Sequence, residues 1–189
     1  MAEVKEDSTR QEIRACAWQP PGQERETTMP STIRPEDFTK ALFGILDETF
    51  ESHHGIFTDK GTSLFETLDT ITAAQASRPV FTGYSIAAQV AHVTLYLDVL
   101  ERWIRTQQNE HVEWEEIWRT VREVTPDEWV ASLADLKRAH QALLATLRGI
   151  EVWEEDPAIA GTLAVLAHTA YHLGAIRQAL YVVQSAESA

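Results

Sequence analysis

Cysteine is nearly absent: Cys16 stands alone in 189 residues. No internal disulfide can form, and a reducing cytoplasm is the expected compartment. Basic residues are also scarce. With 16 Lys and Arg against 29 Asp and Glu, the net charge is −13, and no charge run supplies a basic surface able to neutralise phosphates, which excludes nucleic acid as an expected partner. Long apolar runs are missing as well: His, Asp or Gly interrupts each one well short of the ~20 residues that span a bilayer. No membrane association is expected, and no basic-then-apolar start reads as a signal peptide. The chain contains no GxSxG, P-loop, HExxH or CxxCH, which removes the common hydrolase, nucleotide, zincin and covalent-haem signatures. A di-iron bundle needs two Glu-x-x-His motifs with further inward Glu, and only Glu51-Ser-His-His54 approximates one, at a helix end.

What is present reads as helix. A hydrophobic content of 44% over this length suffices for one full core. Residues 1 to 34 hold Pro20, Pro21 and Pro30 with little periodicity, and read as a flexible N-terminal extension that carries Cys16; Met29 offers an alternative start. Residues 35 to 185 read as a single all-α domain, since strand alternation, hairpin turns and fixed-period repeats are lacking. The first helix is expected from Pro35 to Ser52, burying Phe38, Leu42, Phe43, Ile45, Leu46 and Phe50. A second is expected from Asp59 to Ala76, and a third from the N-cap Ser85 to about 106. The connection 107 to 125 is too long for a tight turn and contains Trp114, Ile117, Trp118 and Val121 as a short amphipathic helix. It permits a crossover joining parallel helices. Thr125-Pro-Asp-Glu128 is a capping box with Pro at the first helical position, opening a helix that ends at Gly149. The last helix follows Asp156-Pro157.

Three histidines break the apolar pattern. His168 and His172 are four apart, so both rings leave one face of the last helix, and that face is otherwise apolar. His92 lies with Gln89, Tyr96, Val99 and Trp103 on a stripe assigned to the buried side of its helix, leaving Asp98, Glu101 and Arg102 for the outer faces. Buried imidazoles need partners, and a divalent ion is a partner three of them can share. His92, His168 and His172 are therefore the expected metal ligands, with a hydrogen-bonded cluster that binds no ion as the alternative.

These segments resemble the DinB-like (DinB/YfiT) metalloenzyme family. Ser85 to His92 is similar to the family's second helix, and His168-Thr-Ala-Tyr-His172-Leu-Gly174-Ala-Ile-Arg177-Gln178 to its last, over about residues 56 to 184. The resemblance implies a four-helix bundle, a homodimer, and a three-His site for a divalent metal, and the 107 to 125 connection is expected as the long crossover. It also implies relatives that are thiol-dependent transferases and isomerases.

Three neutral ligands leave a +2 ion uncompensated, so bound water or a thiol is acidified; hydrolysis and thiol transfer share this chemistry. The ion could be zinc, nickel, iron or manganese, with a low-molecular-weight thiol as co-substrate and a small molecule as substrate. Tyr96 and Gln89, one turn on either side of His92, are the expected catalytic side chains, placed to orient the bound group or to donate to developing negative charge. Tyr171 could serve likewise. The alternative function is a non-catalytic metal-binding or stress-associated interaction protein. His53, His54, His111 and His140 read as solvated, Arg177 as a structural or dimer-contact ion-pair residue, and Trp114, Trp118 and Trp153 as seals at the bundle ends.

Overall fold

Helix-start signals dictate most of the architecture. In a computed structural model, residues 33–80, 83–108, 111–153 and 155–188 are described; the expected N-terminal extension up to residue 32, Cys16 and Met29 included, lies outside them. Seven α-helices follow in order: α1 (Pro35–Phe50), α2 (Leu64–Leu68), α3 (Ala73–Ser77), α4 (Ile86–Thr106), α5 (Trp114–Thr120), α6 (Pro126–Arg148) and α7 (Ala160–Glu187). A π-helical turn, Glu155–Ile159, leads into α7. No strand occurs among the described residues, only an isolated bridge between Val80 and Tyr84. The chain is all-α, and residues from Arg34 onward form one compact unit.

The expected single helix from Asp59 to Ala76 is two short ones. Ser63 and Thr72 each begin a capping box: the Ser63 hydroxyl donates to Glu66 Oε2 at 2.8 Å, and Thr72 N–H donates to Gln75 Oε1 at 3.1 Å. Two start signals nine residues apart cannot both sit inside one helix, because each cap satisfies amides that helix continuation would claim. The box at Thr125 behaves as read from the sequence, with Thr125 N–H donating to Glu128 Oε2 at 2.7 Å and Glu128 N–H to Thr125 Oγ1 at 3.3 Å. Ser85 caps α4 by accepting from Ala88 N–H at 3.1 Å. That helix stops at Gln107, whose φ of 59° is left-handed, a conformation that ends helices.

The long helices pack through α4, which lies against both α6 and α7, while α1 also meets α7. Ile86, Val90, Val93, Leu97, Leu100 and Ile104 are the buried face of α4. From α6 come Leu136, Leu143 and Leu147; from α7, Val165, Leu173, Ile176 and Val183. α1 contributes Leu42, Leu46 and Phe50, whereas Phe38, Phe43 and Ile45 are only half-buried. Glu101 is not on an outer face: it accepts from the Thr146 hydroxyl of α6 at 2.7 Å, linking two helices.

Two buried polar groups depart from the expected pattern. Glu48 is fully buried and accepts from Ile56, Phe57 and Thr58 N–H and from the Thr58 hydroxyl at 2.8–3.0 Å, which ties the loop after α1 to the helix. Burial pushes its carboxyl up, but these donors outweigh that and hold it at about 2. His140, expected in solvent, is 1% exposed. Its ring stacks on Phe50 at 4.1 Å and meets the edge of Phe65 at 5.6 Å. Position 140 falls on the same α6 face as Leu136, Leu143 and Leu147, so the apolar stripe carries it inward. His53, His54 and His111 are exposed as expected.

By length and composition, Pro157–Glu187 is a helix that could cross a membrane. One side of α7 is core, but Leu163, Tyr171, Tyr181 and Val182 face outward.

Candidate metal centre

The site forms where one flank of α4 meets one face of α7. The stripe Gln89, His92, Tyr96, Val99 and Trp103 is not the fully buried side of α4 as expected. It runs beside that side, at the edge of the core; only His92 is buried, and the other four are half-buried. This offset opens the site to solvent. On α7, His172 is buried and His168 half-buried, and Gly161 lets α7 approach α4 closely: a Cβ there would lie 2.9 Å from Ile104 Cγ1.

All three expected ligands meet. One ring nitrogen from each of His92, His168 and His172 lies within 4.8 Å of the others, the one such group among the described residues. His92 Nε2 and His168 Nε2 are 3.0 Å apart. Two donors bound to one ion at about 2.0–2.1 Å each can be separated by at most about 4.2 Å, so this pair fits a shared ion. The third nitrogen is assigned by its neighbour. Gln89 Oε1 accepts from His172 Nδ1–H at 3.1 Å, which places the proton on Nδ1 and leaves the Nε2 lone pair as the available donor. Nδ1 of His92 and of His168 are buried without hydrogen-bond partners.

Burial, followed by the mutual influence of His172 and His92, pushes His168 down to about 3. Burial and His92 push His172 down to about 4, and burial lowers His92. All three are neutral near pH 7, the state in which imidazole ligates metal. The donor set therefore fits a divalent ion chemically, and the His92–His168 pair fits one geometrically.

Gln89 and Tyr96, the expected catalytic side chains, each contact one of the three histidines. The Gln89 carbonyl is engaged by His172. Tyr96 lies flat on His168, with ring centroids 3.5 Å apart and planes 9° from parallel, and burial keeps its hydroxyl protonated. Both residues thus restrain a candidate ligand ring. Tyr171 is 71% exposed and touches His172 edge-on.

Trp114 and Trp118 do not seal a bundle end. Four residues apart on α5, they cover His92, with ring centroids 5.8 and 4.7 Å from its ring, and Trp114 also reaches Tyr96 at 5.8 Å. Their shared helix face was legible in the spacing; their target was not. Trp153 packs edge-on against Phe38. Arg177 has no ion pair among the described residues and lines a shallow cavity with Thr67 and Thr70.

An open cavity of about 620 Å³ reaches the site, lined by Tyr84, Gln89, His92, Trp118, Tyr171, His172, Ala175 and Gln178. Its size suits a small organic molecule. Its walls are mainly aromatic and amide, with no Asp, Glu, Lys or Arg among the described residues. Tyr84 and Gln178 were not anticipated; Tyr84 comes from the turn before Ser85, and no periodicity places it. Comparison with protein-family models, with curated proteins and with solved structures finds no match to this chain.

Proposed function

We propose that this chain is a divalent-metal-dependent enzyme of the DinB-like type, a thiol-dependent S-transferase or a hydrolase. Its four long helices α1, α4, α6 and α7 are read as a four-helix bundle. The observation that carries the proposal is the convergence of three neutral imidazole nitrogens within 4.8 Å, one of them fixed in its tautomer by Gln89. His92, His168 and His172 would hold the ion, which is zinc, nickel, iron or manganese. Such an ion supplies Lewis acidity and lowers the pKa of a bound water or thiol.

The chain's own residues supply binding and orientation. Gln89 sets the proton of His172 and keeps its ring from rotating, and the Tyr96 face restrains His168. Trp114 and Trp118 screen His92 from bulk water. A small-molecule substrate would occupy the cavity between Tyr84, Trp118 and Tyr171. A cytoplasmic homodimer belongs to the same reading, and the outward apolar side chains of α7 support the dimer.

Metal content by plasma mass spectrometry tests the proposal on untagged protein, wild type beside the His168→Ala, His172→Ala double variant. About one ion per chain, lost in the double variant, is expected. Thiol transfer or hydrolysis should then disappear on chelation and return with that ion. No metal in either protein after reconstitution overturns the proposal. Stoichiometric metal without turnover would make the chain a metal-binding protein on the same fold.

A further inference from the structure

A second open cavity, about 610 Å³, is lined by Gly83, Tyr84, Glu115, Trp118, Arg119 and Arg122. It shares Tyr84 and Trp118 with the histidine cavity, so the two spaces meet at one aromatic wall. The two rings of that wall are 4.6 Å apart and tilted by 38°. Electrostatically the spaces differ. Among the described residues the histidine side has no ionised lining, whereas the second side has two guanidiniums and one carboxylate, a local positive excess in a chain of net charge −13.

Neither arginine is neutralised by a carboxylate among the described residues. Glu115 precedes Arg119 by one helical turn, a spacing that favours pairing, yet the two form no ion pair. Arg122 Nε donates to the Arg119 carbonyl at 3.2 Å, which anchors one edge of its guanidinium and leaves the terminal N–H groups uncommitted. Forked, always-charged donors beside an aromatic surface match a carboxylate or phosphate attached to a flat apolar body.

We infer that the two cavities form one site for an amphiphilic anion. Its apolar body lies against Tyr84 and Trp118, its reactive end points to the histidines, and its anionic group is held by Arg119 and Arg122. Only the role of the reactive end rests on the proposed function; anion binding requires no metal.

Titration calorimetry of the full chain with 2-naphthoate and its neutral isostere 2-naphthamide tests this, with the protein first stripped by chelator. Naphthoate should bind at least about ten-fold tighter than the amide in low salt, the size expected of hydrogen bonds to a charged group. Added salt should narrow the gap. In the Arg119→Gln, Arg122→Gln variant the two affinities should come within about two-fold with amide binding retained, and Trp118→Ala should weaken both ligands. Equal affinities in the wild type, a preference that survives in the arginine variant, or no binding of either ligand would overturn the inference. The His168→Ala, His172→Ala protein separates the two readings: it should lose metal yet keep the naphthoate preference. A preference seen only in metal-loaded protein would place the anion on the ion and leave the arginines without this role.

Discussion

The side-chain carbonyl of Gln89 on α4 lies 3.1 Å from Nδ1 of His172 on α7, so one helix fixes the tautomer of a candidate ligand on the other. Gln89→Leu removes the acceptor while preserving most of the volume. Metal affinity should fall about 10- to 100-fold, read by chelator competition, with the helical circular dichroism unchanged. Gln89→Glu keeps an acceptor at this distance and should retain tight binding. An unchanged affinity in the leucine variant would show that His172 is oriented by packing alone.

Tyr96 separates a ring effect from a hydroxyl effect. Because its face is stacked on His168, Tyr96→Phe should keep metal affinity within about two-fold, whereas Tyr96→Ala should weaken it by roughly the 0.5–1.5 kcal/mol of an aromatic pair. If the phenylalanine variant binds metal normally but loses turnover, the hydroxyl acts on substrate.

His140 links stability to acid. Burial holds it down to about 4 from an ordinary 6.5, so the unfolded chain takes up the proton first. Stability is therefore complete above pH 6.5 and falls as the pH drops from 6.5 to about 4, by about 3 kcal/mol from this group. The site histidines shift in the same direction, so the informative quantity is the difference between wild type and His140→Leu in urea unfolding across that window. The leucine variant should show a flatter pH dependence. Parallel curves would mean that His140 becomes protonated in the folded protein, with Glu51 Oε1, 3.3 Å from its Nδ1, as the counter-charge.

Two glycines of α7 should respond oppositely to alanine. At Gly161 the new methyl would sit 2.9 Å from Ile104 Cγ1 and 3.1 Å from Trp103 Cζ3, and relieving that overlap should destabilise the fold by about 1–2 kcal/mol despite the gain in helix propensity. Gly174 has open space around it, so Gly174→Ala should stabilise by roughly 0.5–1 kcal/mol. Thermal unfolding of both variants checks the pair. A destabilised Gly174→Ala would point to another chain packed on that face.

The candidate site was readable because its pattern is local. His168 and His172 declare their common face by spacing, and His92 stands out in a stripe that also carries Gln89 and Tyr96. Helix starts at Ser85 and Thr125 were readable for the same reason, since a cap and its partner are three residues apart. Features that depend on tertiary approach were not. All but one of the donors to Glu48 are backbone amides eight to ten residues away, which any sequence possesses. The aromatic cover supplied by α5 depends on how the 107–125 connection folds back. His140 is a different case: its spacing from Leu136, Leu143 and Leu147 carried the signal, which Lys137, Arg138 and Gln141 obscured by making that stretch look polar.

None of the seven residues of α5 is buried. Its amides should accordingly exchange with solvent through local opening, at a free energy well below that of global unfolding, while those of α4 and α7 await the whole molecule. The histidines are thus roofed by the least anchored helix and floored by two of the firmest. A ligand could reach them by lifting α5 alone, with Trp114 and Trp118 leaving together and the imidazole positions undisturbed.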